Sequence, residues 1–150
     1  PMGGDLAEQS SQAPTFLVMA LKDPNGANLE RVQIIKGWRD KRGVLHEQVH
    51  DVALGKHLNE GGRRFRKMTS TVDERSASYS NSIGDAQLSA HWQDPDFNAN
   101  EHAFYYARVI EIPTPRWPAY DRARLGVKVS SDAQLTVQDR AYTSPIWYTP

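Results

Sequence analysis

The fold of this chain depends on the conformation of one stretch, residues 44–54, VLHEQVHDVAL. Its centre matches the zinc-binding pattern His-Glu-x-x-His, which on a helix places two imidazoles on one face with a glutamate beside a metal-bound water. In an extended strand, two residues that are four positions apart share a face but lie about 13 Å from one another, too far to share an ion. The backbone conformation of this stretch therefore decides between two interpretations, a helical metal centre and a strand with no catalytic role.

The flanking residues favour the strand. Residues 31–38 are rich in β-branched side chains, and residues 40–43, DKRG, have the composition of a four-residue hairpin connection. A helical zinc motif needs helix-forming residues before its first histidine, but Gly43 stands three positions before His46. We therefore predict a hairpin whose return strand is residues 44–54, with both imidazoles facing solvent.

A self-contained zinc hydrolase that uses His46, Glu47 and His50 is the alternative. Apolar residues in this stretch also fit a helical stripe, so periodicity alone leaves the alternative open. The longer protease pattern is incomplete, because its third histidine would fall at Lys56 and His57 misses that position by one.

Period-2 patterns and turn residues dominate the rest of the chain. Besides the hairpin, residues 15–21, 87–93, 103–112 and 144–148 read as strands. Roughly six strands with almost no helical period predict an all-β fold, an antiparallel β-sandwich forming a single domain over residues 1–150.

Two segments interrupt the strands. Residues 55–85 are polar and rich in Gly and Ser, and we predict a long irregular excursion there. Residues 113–118 contain three prolines and should form a loop, because proline lacks the N–H that a helix or a central strand needs. A short helical turn is expected at residues 120–125, ending at Gly126.

Composition excludes several classes of function. The 150 residues carry 18 Lys+Arg and 18 Asp+Glu, so no net charge favours nucleic acid or an anionic membrane. The basic cluster at residues 63–67 is expected to be a solvated loop. The chain has no cysteine and no apolar run long enough for membrane insertion. Its start, PMGGD, lacks a signal peptide and suggests a piece of a larger protein.

Four runs of sequence resemble one bacterial family, catalogued only as domain of unknown function 3604. These runs are residues 1–6 (PMGGDL), 28–38 (NLERVQIIKGW), 105–117 (YYARVIEIPTPRW) and 143–149 (TSPIWYT). The resemblance covers nearly the whole chain. It implies that the chain is the C-terminal region of a longer protein, whose N-terminal part resembles metal-dependent phosphoesterases of the polymerase-and-histidinol-phosphatase type. It also implies a periplasmic or secreted protein.

The proline-rich bend supplies the candidate substrate contacts. Arg116 offers a planar fork for a carboxylate or phosphate, Trp117 and Tyr120 offer stacking faces, and Asp121 could orient the arginine. The alternative is structural: Trp117 closes one end of the sandwich and Arg116 caps backbone carbonyls. Residues 3–5, GGD, are expected to form a tight turn between domains or a loop at a pocket, and His91 and His102 to be surface or interface residues.

These observations predict an accessory β-sandwich that supports or lines the active site of a metal-dependent hydrolase without performing the reaction alone. No cofactor is expected in this chain, whereas a divalent metal is expected in the larger protein. The expected partner is the upstream catalytic domain, and a second copy could pair with an open strand edge. Besides the zinc hydrolase, a non-catalytic binding or assembly module remains an alternative.

Overall fold

A computed structural model describes residues 2–6, 12–56 and 70–150. Within these ranges the chain forms nine strands and one helix. They are β1 Thr15–Leu21, β2 Leu29–Arg39, β3 Leu45–Leu54, β4 Gln87–Gln93, β5 His102–Glu111, β6 Thr114–Pro115, α1 Trp117–Leu125, β7 Thr136–Val137, β8 Arg140–Tyr142 and β9 Ile146–Tyr148.

The strands form two packed layers. The main sheet has the order β3-β2-β5-β8, and β9 also pairs with β5; β1 and β4 form a second sheet, and β6 and β7 a short ribbon. All of these pairings are antiparallel. The β1–β4 sheet covers what we call the inner face of the main sheet, where Phe16, Val18 and Trp92 pack against Ile34 and Tyr105. The predicted antiparallel β-sandwich is confirmed.

The residues of β2 explain its central position. Val32 and Ile34 are each at most 2 % exposed, because β3 and β5 flank this strand and β1 and β4 cover the face on which these two side chains lie. By contrast, β1 alternates exposed and half-buried residues along its length, the pattern of a strand with only one face on the core.

The stretch with the zinc-like pattern is extended, as predicted. Strand β3 pairs with β2 so that His46 lies opposite Trp38 and His50 opposite Ile34. The predicted outward orientation of the imidazoles is wrong. Directly opposite residues share a face, and Trp38 and Ile34 face the core, so both histidines lie on the inner face. The His46 ring stacks 5.0 Å from Trp38, and the ring of His50 lies 4.8 Å from that of Trp92.

The proline-rich segment is more regular than predicted. Thr114–Pro115 pairs with β7, and α1 begins at Trp117, three residues before the expected helical turn. Pro118 does not prevent this, because the N–H groups of the first helical turn have no intrahelical partner to lose. The predicted end is confirmed: Gly126 caps the helix in the left-handed conformation and donates its N–H to the carbonyl of Arg122.

The described part of the excursion, residues 70–85, contains isolated bridges but no strand, as predicted. The basic cluster at residues 63–67 lies outside the described residues. The two ends of the excursion are fixed beside Leu29. Asp85 and Leu29 exchange backbone hydrogen bonds of 2.8 and 3.0 Å, and Lys56 donates its N–H to the Asp85 carboxylate. No helix among the described residues is long and apolar enough to cross a membrane.

Candidate functional site

The register of the main sheet assembles polar side chains on its outer face, the face turned away from β1 and β4. Gln33 of β2 lies opposite Asp51 of β3 on one side and Arg108 of β5 on the other, and Arg108 lies opposite Tyr142 of β8. Because directly opposite residues of antiparallel strands share a face, these four side chains form one row across four strands.

Hydrogen bonds link three members of this row. The Gln33 amide nitrogen donates to Asp51 over 2.7 Å, and Arg108 Nε donates to the Gln33 carbonyl oxygen over 2.8 Å. A carboxylate only accepts and a guanidinium only donates, so this arrangement fixes which way the Gln33 amide points. Asp51 therefore orients Gln33, and Gln33 orients Arg108.

The neighbouring row adds two more arginines. Arg31 and Arg140 both lie opposite Ile110, on either side of β5. Arg31 forms ion pairs with Glu30 at 2.5 Å and with Asp51 at 3.1 Å. Glu30 reaches this face beside Arg31 because the register between β2 and β5 shifts between residues 29 and 31. Its carboxylate also accepts a hydrogen bond from the Gln138 side chain.

These side chains surround a cavity of about 230 Å³, which we call the arginine cleft. Its polar lining consists of Glu30, Arg31, Gln33, Arg108, Gln138 and Arg140. A larger cavity of about 940 Å³ shares four of these residues and extends along β7 to Pro113. The three guanidinium groups of Arg31, Arg108 and Arg140 outnumber the two carboxylates, of Glu30 and Asp51, that pair with Arg31, so the arginine cleft has an excess of positive charge. Across residues 2–6, 12–56 and 70–150, no group of three or more His, Cys, Asp or Glu side chains could hold a metal ion.

The four residues predicted as substrate contacts all lie at or in α1, outside both cavities. Arg116 is the N-cap residue in an extended conformation, and its side chain makes no capping hydrogen bond. Trp117 is 66 % exposed, so it does not close the end of the sandwich. Tyr120 lies under the guanidinium of Arg124 at 5.3 Å. Among the described residues, Asp121 forms no ion pair or hydrogen bond with Arg116, so it does not orient that arginine.

The histidines of the zinc-like pattern have packing roles. Besides stacking on Trp38, His46 places its Nε2 3.1 Å from an Asp40 carboxylate oxygen. This hydrogen bond, with two backbone N–H groups of the turn, lowers the pKa of Asp40. Asp40 thereby stabilises the turn between β2 and β3 through hydrogen bonds to Arg42, Val44 and His46. The extended backbone separates His46 and His50 too widely for one metal ion.

A second polar cluster is enclosed between the two layers. Lys36 Nζ lies 2.6 Å from Asp94 Oδ2, and the Tyr105 hydroxyl donates to the same oxygen over 2.6 Å. Lys36 also donates to the Asp96 carbonyl, and the Asp96 N–H donates to the other Asp94 oxygen. Burial and the adjacent Asp94 carboxylate raise the pKa of Tyr105. Because these groups satisfy one another and are buried, the cluster joins the layers rather than reaching a ligand.

An apolar row lies on the opposite side of the sandwich from the arginine cleft. Leu17, Met19 and Leu21 alternate along β1 and are 78, 65 and 70 % exposed. We call this the β1 row.

The remaining sequence candidates lie near chain connections or on the surface. Gly3 has positive φ, and Asp5 forms a parallel bridge to Trp147 of β9, so residues 3–5 form a turn that leads into sheet pairing. His91 and His102 are exposed, as expected of surface histidines.

The fold and its two surfaces define an antiparallel β-sandwich with an arginine-lined cleft on one side and an exposed apolar row on the other. The model of a protein family of unknown function, DUF3604, matches residues 1–150, and the chain belongs to this family. No curated protein and no solved structure matches the chain.

Proposed function

We propose that this chain is the accessory C-terminal β-sandwich of a larger bacterial protein, a metal-dependent hydrolase of the phosphoesterase type. In this proposal the sandwich packs beside the catalytic domain and supports or lines its active site. The catalytic domain supplies the metal ligands and performs the reaction. The exposed β1 row supports a contact with a neighbouring domain.

The β1 row is the observation that carries the proposal. Three large apolar side chains lie side by side on one strand, and each exposes about two thirds or more of its surface. Contiguous apolar surface on a monomer often serves as a contact with another molecule, and in this proposal that molecule is the catalytic domain. The facing residues of β4 are Gln87, Ser89 and His91, so a polar border runs beside the row, as in the rim of an interface.

The α1 segment is the proposed substrate contact within this arrangement. Arg116 and Trp117 are exposed and have no side-chain hydrogen bond among the described residues, so both are available to a neighbouring molecule. The mouth of a catalytic pocket formed by two domains is a common place for such residues. A phosphate ester would be bound by the guanidinium of Arg116 and stacked on Trp117.

Met19→Glu is expected to separate the two domains of the larger protein. A buried carboxylate at the centre of an apolar contact should weaken docking by about 2 kcal/mol or more. Thermal unfolding of the larger protein should then change from one transition to two. In the isolated chain the same substitution should change the free energy of unfolding by less than about 0.5 kcal/mol, since the site is exposed.

Leu45→Glu is the matched control, because Leu45 is 79 % exposed but lies on β3, on the outer face of the main sheet. It should leave the single transition unchanged. If Met19→Glu and Leu45→Glu behave alike in the larger protein, the β1 row is not the docking surface and the proposal fails.

A further inference from the structure

The arginine cleft holds more positive charge than the described residues neutralise. Arg31 is paired with Glu30 and Asp51, but no described carboxylate lies within ion-pair distance of Arg108 or Arg140. Arg108 is partly buried and uses only Nε, in the hydrogen bond to Gln33. Its two terminal nitrogens therefore have no hydrogen-bond partner among the described residues.

The three arginines are also neighbours on one face of the main sheet. Arg108 is the diagonal neighbour of Arg31 on β2 and of Arg140 on β8. Diagonal neighbours on one sheet face have Cβ atoms about 7 Å apart, within the reach of long side chains such as arginine. The hydrogen bonds from Asp51 through Gln33 hold the Nε of Arg108 over this face. A bound anion would supply the negative charge that no described carboxylate supplies to Arg108 and Arg140.

We infer that the arginine cleft binds a tetrahedral oxyanion, the phosphate or sulfate group of a larger polar molecule. Arg108 and Arg140 donate to the oxyanion from adjacent strands, and paired N–H groups of a guanidinium match two oxygens of such a group. The larger cavity that continues from the cleft along β7 has room for the rest of the molecule. The site lies on the side opposite the β1 row, so it does not depend on the proposed docking of a catalytic domain.

The test is a titration of the isolated chain with inorganic phosphate and with sulfate at constant ionic strength. The NMR signals of the arginine Nε–H groups report the binding. We expect saturable binding of both anions, with the largest shift at Arg108. Arg140→Gln should weaken the binding about tenfold, since one charge-assisted hydrogen-bonding group is lost. Arg140 is exposed, so this variant should keep its stability.

Arg39→Gln is the control, because Arg39 is an exposed arginine of the same sheet face at the other end of β2. It should bind phosphate as tightly as the unchanged chain, and acetate should bind at least about tenfold more weakly than phosphate, because a planar carboxylate offers two oxygens instead of three or four. The inference is overturned by a lack of saturation, by equal weakening in Arg39→Gln and Arg140→Gln, or by acetate binding as tight as phosphate.

Discussion

Replacing Gly84 with alanine should destabilise the domain by about 3 kcal/mol or more. Gly84 has a φ of +72°, and an added Cβ would lie 2.6 Å from the Leu29 carbonyl oxygen and 2.9 Å from an Ile112 methyl group. The positive φ alone costs an alanine about 1 kcal/mol. The clash adds more, because the carbonyl belongs to β2 and the methyl group to a fully buried side chain.

Gly43→Ala separates the cost of the positive φ from the cost of the steric clash. Gly43 has a similar φ of +82°, but nothing lies within 4 Å of its would-be Cβ. Urea unfolding should show a loss of about 1 kcal/mol for Gly43→Ala, against the larger loss for Gly84→Ala. Equal losses would mean that the contact between the end of the excursion and Leu29 is not rigid.

Asp94→Asn should cost about 3–5 kcal/mol, because it leaves the Lys36 ammonium group without its counter-charge in the core. Lys36 and Asp94 are 3 % and 2 % exposed, so water cannot replace the lost partner. The double variant Lys36→Met/Asp94→Asn should recover part of the loss, since the uncompensated charge is then gone. Chemical denaturation of the single and double variants gives the coupling energy.

Lys56→Met is the control, because it breaks an exposed lysine–aspartate ion pair instead of a buried one. Lys56 pairs with Asp85 at 3.3 Å, but its side chain is 77 % exposed, so breaking this pair should cost less than about 1 kcal/mol. The interpretation of the buried cluster is contradicted if Asp94→Asn costs no more than Lys56→Met.

The sequence predicts the longer strands because their signals are local, but it does not predict β7 and β8, which have two and three residues. The alternation in residues 15–21 and the run of aromatic and β-branched residues at 103–112 appear as β1 and β5, shifted by at most one residue. The extended prediction for residues 44–54 is correct for the same reason. A turn at Asp40–Gly43 and a β-branched strand before it determine the backbone locally.

Whether the imidazoles face the core or solvent is not a local property. It depends on the hairpin register, since a shift of one residue moves every side chain of a strand to the other face. The inner position of Trp38 and the stacking of His46 on it could have been anticipated only with that register in hand.

The arginine cleft is even harder to predict from the sequence than the orientation of the imidazoles. Its lining residues come from β2, β5, β8 and the connection between β7 and β8, and Asp51 of β3 orients them, so their meeting requires three strand pairings and the shift near Arg31. The β2–β3 hairpin is the one part of the cleft's surroundings that the sequence could have revealed. A register that places Gln33 opposite Asp51 predicts a polar pair on one face of the hairpin. Arg108 and Arg140 lie far along the chain, and nothing in their local sequence marks them as neighbours.

Thiol labelling of a single introduced cysteine tests the accessory role of the domain most directly, because the chain has no cysteine of its own. Met19→Cys should react rapidly in the isolated chain and at least about tenfold more slowly in the larger protein, where the contact excludes the reagent. Ser131→Cys, in an exposed turn, should react equally fast in both. Equal reactivity of Met19→Cys in the two proteins would contradict the proposal that this face docks on a catalytic domain.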